Sequence, residues 1–200
     1  NIGLNKIKFY GLDEININDL KNIDKKLLLK NIKSLGLENL FLINGNKIIE
    51  IMDSNSLIEN YIIFKKYPST LNIKIKQTDF LAKINLENHE YLIGSNGKLS
   101  KINHSNENLP YIFGKPEIEE FLKFKKIIDY SKISYKEIKS FYYFKSGRWD
   151  IELKNNILIK LSKEYTKKSL DNVFIFLSQN ILSKSMIIDA RVSNQIILND

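Results

Sequence analysis

The sequence predicts an α+β protein of two domains, residues 1–78 and residues 79–200. The order of the apolar patterns predicts this class: the first third alternates strands with two helices, and the chain after Thr78 is rich in strands. Composition agrees, since 43% hydrophobic and 27% charged residues are typical of a globular chain. No linker of low complexity marks the boundary, so the change in element order alone places it near residue 79.

The first domain is predicted as strand, helix, helix, strand, strand. Apolar spacing and capping residues give the individual elements. They are a strand at Lys6–Tyr10, a helix from an N-cap at Asp24 to a C′ glycine at Gly36, a helix over Lys47–Met52, a strand at Tyr61–Phe64, and a half-buried strand over Leu71–Lys76. Tyr67-Pro68-Ser69-Thr70 forms the turn between the last two strands.

The second domain is predicted as hairpins with two helices between them. Asn96-Gly97 predicts a type I′ hairpin within Tyr91–Ser100, and Pro116 is placed at the first position of a helix. The remaining elements are a hairpin of Trp149–Leu153 with Ile157–Leu161, a helix with an apolar stripe of Leu170, Val173, Phe174, Leu177 and Ile181, and strands at Met186–Val192 and Gln195–Leu198.

The sequence offers few groups for catalysis, and we predict no catalytic residue, metal site or cofactor. There is no Cys, and no Gly-rich loop precedes a helix. His89 and His104 lie in polar loop sequence without a carboxylate at metal-ligand spacing. The acids Glu117, Glu119 and Glu120 suit general acid–base chemistry in principle, but acids that complement a helix dipole explain them better.

The formal net charge of +8 first suggests a nucleic-acid partner. The lysines, however, are spread over nearly every element, and the residue that base recognition favours, Arg, occurs only twice. We therefore expect no nucleic-acid partner. The two arginines, Arg148 and Arg191, indicate places where a planar donor of two hydrogen bonds matters, although one sequence does not separate retention from chance.

Several short motifs follow one another in a fixed order along some 190 residues. The element order of the first domain is similar to that of a POTRA domain. The motifs are Pro68–Ile75, similar to P-x-x-L-x-I-x-I; Asn96-Gly97, similar to a D-G hairpin; Leu109–Gly114, similar to L-P-x-L-x-G; Gly147–Leu161, similar to R-R-W-D-L-x-L-x-N-G-V-x-I-x-L; and Ile188–Arg191, similar to I-D-L-R. Taken together and in this order, the motifs resemble those of the bacterial cell-division family FtsQ/DivIB. The resemblance implies a POTRA domain followed by an FtsQ-type β domain.

The resemblance also implies a function. Members of the family are bitopic proteins of the bacterial inner membrane, so this chain is expected in the periplasm, at the division septum, behind a single N-terminal membrane helix that is absent from the sequence. They are non-enzymatic divisome scaffolds, and the implied partners are FtsB- and FtsL-like proteins for the β domain and an FtsK-like upstream division protein for the POTRA domain.

We expect partner binding by β-augmentation at the C-terminal strand, with Arg191 binding a partner carboxylate. Lys167-Lys168, on the neighbouring helix, would attract an acidic partner segment. The predicted partner-binding residues are Arg148, Asp189, Arg191, Val192, Ser193, Gln195, Ile196, Ile197 and Leu198. An internal ion pair or turn hydrogen bonds are the alternative for Asp189 and Arg191, and Trp149 is expected in the core rather than at a contact.

A second hypothesis keeps the POTRA domain and changes the process. POTRA domains also serve as peptide-binding, chaperone-like modules in outer-membrane assembly and secretion proteins. A β-barrel after the last strand would distinguish the two, and Asp200 follows that strand almost at once.

Overall fold

The computed structural model describes residues 14–18, 22–36, 45–101, 108–180 and 186–199. These residues form two compact units, divided between Asp79 and Phe80. The predicted α+β class is confirmed. Within the described ranges, no helix combines the length and the apolar character that crossing a bilayer requires.

The first unit packs two helices on a three-stranded sheet with strand order β1-β3-β2. Its elements are β1 (Glu14–Asn18), α1 (Asn22–Lys33), α2 (Gly45–Ser54), β2 (Ile58–Lys66) and β3 (Thr70–Gln77). β1 runs parallel to β3 and β2 runs antiparallel to it. The predicted alternation in β3 is confirmed, because Leu71, Ile73 and Ile75 are buried in the core under the helices.

Two predictions in the first unit need comment. The strand at Lys6–Tyr10 lies outside the described residues, and the sequence did not predict β1, whose asparagines alternate with Ile15 and the buried Ile17. Asp24 was wrong as the N-cap, since α1 already begins at Asn22. Gly36 does follow the helix with a φ of +64°, a conformation that favours glycine at that position.

The second unit is built on a nine-stranded mixed sheet. Its elements are β4 (Phe80–Leu86), β5 (His89–Gly94), β6 (Leu99–Lys101), β7 (Tyr111–Phe113), α3 (Ile118–Asp129), β8 (Ile138–Tyr143), β9 (Trp149–Leu153), β10 (Ile157–Leu161), α4 (Thr166–Gln179), β11 (Met186–Ala190) and β12 (Ile197–Asn199). The strand order is β12-β11-β10-β9-β8-β7-β4-β5-β6, so β12 and β6 are the two edges.

The core of the second unit lies between the sheet and its helices. Trp149 is only 7% exposed, and its ring stacks on Phe124 of α3 at 4.7 Å between centroids. Leu170 and Val173 bury α4 in the same cluster. The expectation that Trp149 belongs to the core is confirmed by this burial. Phe174 was wrongly placed on the buried stripe, because it is 36% exposed.

Two local predictions in the second unit were wrong in detail. Pro116 does not occupy the first helical position, because α3 begins at Ile118 with Glu117 as its N-cap. The Glu117 N–H donates to Glu120 Oε2 at 3.3 Å, which uses one of the acids predicted to stabilise this helix end. The β5–β6 hairpin exists, but of its central pair Gly97 has the positive φ and Asn96 does not, which excludes type I′.

The C-terminal strands are also shorter than predicted. β11 ends at Ala190 and β12 begins at Ile197, so Val192, Ser193, Gln195 and Ile196 lie in the turn between them. Two hydrogen bonds form this turn: the Arg191 N–H donates to Asp189 Oδ1 at 3.1 Å, and the Gln195 N–H donates to the Val192 carbonyl at 3.2 Å. In residues 191–196 these two bonds take the place of the β11–β12 ladder hydrogen bonds that longer strands would form.

Candidate functional site

The predicted site lies at one open edge of the nine-stranded sheet. β12 pairs antiparallel with β11, with Ile188 opposite Leu198 and Asp189 opposite Ile197. In the part of the chain that the structure describes, no strand pairs with the other side of β12. The backbone groups on that side are therefore available to an added strand.

The side chains of β12 are exposed on both faces of the strand. Ile197 is 48% exposed and Leu198, which points to the opposite face, is 45% exposed. Val192, in the preceding turn, is 53% exposed. Apolar side chains on an unprotected edge promote pairing with another chain. Among the described residues, the core of the unit covers neither face of β12.

Arg191 stands at the start of the turn and is paired with Asp189. Its Nε lies 2.9 Å from Oδ1 and its Nη2 2.5 Å from Oδ2, a bidentate pair. This pair is the internal alternative expected from the sequence. The two side chains of the pair differ in exposure: that of Asp189 is 10% exposed and that of Arg191 is 46% exposed. A hydrogen bond from Arg191 holds the pKa of the Asp189 carboxyl below its ordinary value, so the carboxylate is charged at neutral pH.

Arg148 is not at the edge. It precedes β9, which β10 and β11 separate from β12. Its guanidinium donates to both oxygens of Asp150, at 3.1 and 3.2 Å, and lies over the Phe144 ring at 4.2 Å from the centroid. Asp150 is nearly fully buried, and its Oδ1 also accepts the Leu161 N–H at 3.2 Å. Burial raises the pKa of Asp150, although Arg148 acts in the opposite direction.

A row of alternating charges connects these two pairs across the sheet. Lys160 of β10 is the register neighbour of Asp150 on one side and of Asp189 on the other. The two arginines therefore mark the ends of one charged row, defined as Arg148, Asp150, Lys160, Asp189 and Arg191. Sequence reasoning missed Lys160, although the inward alternation of Ile157, Ile159 and Leu161 already placed Lys160 on the other face.

The helix α4 forms one wall of a groove beside the β11–β12 turn. The groove has a volume of about 330 Å³ and is lined by Asn172, Ile175, Phe176, Gln179, Asn194 and Ile196. Ser169 Oγ donates to the Ala190 carbonyl at 2.8 Å and so joins α4 to the end of β11. Of these lining residues, sequence reasoning had named only Ile196 as a site residue. The sequence did contain a sign of this groove, because Ile175 and Phe176 are apolar but do not belong to the buried stripe that includes Leu170 and Val173.

The two lysines at the start of α4 have different surroundings. Lys167 Nζ pairs with Asp171 at 2.8 Å, a contact within the helix. Lys168 Nζ lies 3.4 Å from Ser193 Oγ, across the turn. The structure therefore brings Lys168, Ser193 and Arg191 together at one end of β11. Lys167 instead pairs with a residue of its own helix.

Comparison with known proteins identifies both units. The family model described as "POTRA domain, FtsQ-type" matches residues 11–77, and that described as "Cell division protein FtsQ/DivIB, C-terminal" matches residues 82–191, more than half of the chain.

Two curated proteins are similar to this chain. The cell division protein DivIB of Clostridium acetobutylicum is 29% identical over 97 residues, which are 48% of this chain and 39% of that protein. The cell division protein FtsQ of Rickettsia bellii is 22% identical over 171 residues, 80% of this chain and 61% of that protein. The matched segments thus span less than two thirds of either relative. On the strength of both family models, this chain belongs to the FtsQ/DivIB family of cell division proteins.

Proposed function

We propose that this chain is a non-enzymatic scaffold of the bacterial divisome. It links early division proteins, including an FtsK-like partner at the POTRA domain, to an FtsB–FtsL-like pair and so to septal peptidoglycan synthesis. The proposal places the chain in the periplasm, held at the septum by a single helix in the inner membrane. Family membership supports these assignments. The alternative of a secretion-type POTRA chaperone is not proposed, because the second unit matches the FtsQ/DivIB model.

The observation that carries the proposal is the open edge at β12. A partner strand hydrogen-bonded to its free side would extend the sheet, the binding mode known as β-augmentation. The exposed Ile197 and Leu198 would then pack against partner side chains on the two faces of the extended sheet. Main-chain hydrogen bonds would provide affinity, and these side chains would provide specificity.

Charge at the site favours an acidic partner segment. Arg191 offers an exposed guanidinium beside β12, and Lys168 lies close to the same turn. A partner carboxylate that shares Arg191 with Asp189 would make hydrogen bonds to a charged donor, which are stronger than neutral ones. The groove between α4 and the turn would hold the residues that flank the added strand.

The experiment is calorimetric titration of the chain with a peptide from the membrane-proximal periplasmic part of its FtsB-like partner. We expect Arg191→Ala to weaken binding about tenfold, or about 1.4 kcal/mol, because it removes the charged donor. Lys154→Ala, in the β9–β10 turn, loses the same charge and should bind like the wild type. Failure of the wild type to bind would contradict the proposed function. Equal affinity of Arg191→Ala and Lys154→Ala would contradict the role of Arg191.

A further inference from the structure

The first unit has a sheet face that its helices do not cover. In β3, Leu71, Ile73 and Ile75 point into the core, so the alternate residues point away from it. The register places Ile62 of β2 opposite Lys74 and Phe64 opposite Asn72 on this outer face. We call Ile62, Phe64, Lys66, Lys74 and Lys76 the basic face.

The basic face combines exposed apolar side chains with lysines. Ile62 is 61% exposed and Phe64 42% exposed, and Tyr67, in the adjoining turn, is 57% exposed. Lys74 Nζ lies 5.9 Å from the centroid of the Phe64 ring. The Lys76 side chain is 68% exposed, with Glu59 at 4.0 Å.

The balance of charge on this sheet is positive. Its three strands contain four lysines, Lys65, Lys66, Lys74 and Lys76, against two acids, Glu14 and Glu59. Polar Asn16 and Asn72 side chains, hydrogen-bonded to each other at 3.4 Å, occupy the β1 side. The apolar and basic residues are thus concentrated on β2, on β3 and in the turn that joins these two strands.

We propose that the basic face binds the surface of a bilayer that contains anionic phospholipids. Lysines near such a surface are attracted by its negative potential, and exposed aromatic and aliphatic side chains enter the region between head groups and acyl chains. A planar anionic surface can contact Ile62, Phe64 and the lysines together. An acidic peptide strand added to the edge of β2 would cover that edge and leave Lys74 and Lys76, on β3, uncovered.

This inference concerns a different unit from the β12 site and does not depend on it. Its test is flotation of the whole chain with vesicles of phosphatidylcholine, with and without phosphatidylglycerol. We expect binding to the anionic vesicles only, weakened by added salt. The double variant Lys66→Glu/Lys74→Glu should bind at least about tenfold more weakly.

A matched control separates this face from net charge. The variant Lys26→Glu/Lys47→Glu has the same change in net charge, at exposed positions of α1 and α2. Its affinity for the anionic vesicles should stay within about twofold of that of the wild type. The variant Ile62→Ser/Phe64→Ser keeps the charge and should also lose binding. Far-UV circular dichroism checks that each variant is folded.

Three results would overturn the proposal. The first is equal vesicle binding by the basic-face and control variants. The second is equal binding of the wild type to neutral and anionic vesicles. The third is the absence of vesicle binding, including the case in which an acidic peptide binds instead.

Discussion

Asp150 and Asp189 each pair with an arginine two residues away, yet their environments have opposite effects. Burial dominates at Asp150 and raises its pKa. At Asp189 the hydrogen bond from Arg191 dominates and lowers its pKa. The difference arises because Asp150 lies inside the sheet, whereas Asp189 is next to an exposed turn and a well-exposed guanidinium.

These shifts give the two carboxylates opposite effects on stability as pH changes. The folded-state pKa of Asp189 lies below the ordinary 3.8, so its contribution is present above pH 3.8 and is lost as pH falls through the folded value. The folded-state pKa of Asp150 lies above 3.8, so its contribution is present below pH 3.8 and is lost as pH rises through the folded value.

Urea unfolding of Asp189→Asn and Asp150→Asn between about pH 3 and pH 7 checks this difference. We expect Asp189→Asn to lower the free energy of unfolding by about 1.5–3 kcal/mol at neutral pH, with a deficit that shrinks in acid. The deficit of Asp150→Asn should instead grow in acid, because the wild type regains stability when Asp150 is protonated. The same pH trend in both variants would contradict the assignment of the two environments.

At the scale of residues, the sequence predicted how the two arginines are bonded better than where they lie in the sheet. The scarcity of arginine led to Arg148 and Arg191, and both form bidentate pairs. The local pattern does not show how far a strand lies from the edge of its sheet. It therefore did not distinguish Arg148, next to an interior strand, from Arg191, next to the edge strand. The position of a strand depends on pairing between distant segments, and so do the neighbours of Lys160.

Among the elements, α4 and β11 are joined by one buried hydrogen bond. Ser169→Ala removes the donor to the Ala190 carbonyl, so we expect a loss of about 1 kcal/mol in the free energy of unfolding. Ser178→Ala is the matched control, since the Ser178 hydroxyl donates to the Ile175 carbonyl in an exposed turn of its own helix. Chemical denaturation measures both. Equal losses in the two variants would mean that this bond does not fix α4 on the sheet.

Element existence was predictable where apolar periodicity was strong, and element ends were not. The β9–β10 hairpin and β3 follow from clear alternation, with Asn156 taking the positive φ that the turn needs. The apolar spacing also predicted the helix α3 but not the residue at which it begins. That residue depends on the capping interaction between Glu117 and Glu120, which places the first helical residue at Ile118 and not at Pro116. β11 ended early for a similar reason, since the Asp189 side chain captures the Arg191 N–H.

For the whole molecule, the order of motifs predicted the family, which the family models confirm. The order of the apolar patterns predicted the α+β class, which the structure confirms. Strand order was not predictable from local pattern. β7 lies between β4 and β8 and is parallel to both, which depends on contacts between segments far apart in the chain. The open edge follows from this order, and so does the site. We also propose residue 79 as the boundary at which two independent domains meet.

The central claim is that a partner strand adds to the free side of β12. Backbone donors alternate along a strand, so of the adjacent Ile197 and Leu198 one N–H faces β11 and the other faces the open side. Proline at the inward position should destabilise the fold, and proline at the outward position should leave it intact. Thermal unfolding of Ile197→Pro and Leu198→Pro identifies which is which.

Calorimetric titration of the folded proline variant with the FtsB-like peptide is then the most direct test. Loss of the outward donor should weaken binding at least about tenfold, since an added strand loses a main-chain hydrogen bond and meets the proline ring. Alanine at the same position removes the side chain and keeps the donor, and so should bind more tightly than proline. An affinity of the folded proline variant equal to that of the wild type would contradict β-augmentation at β12.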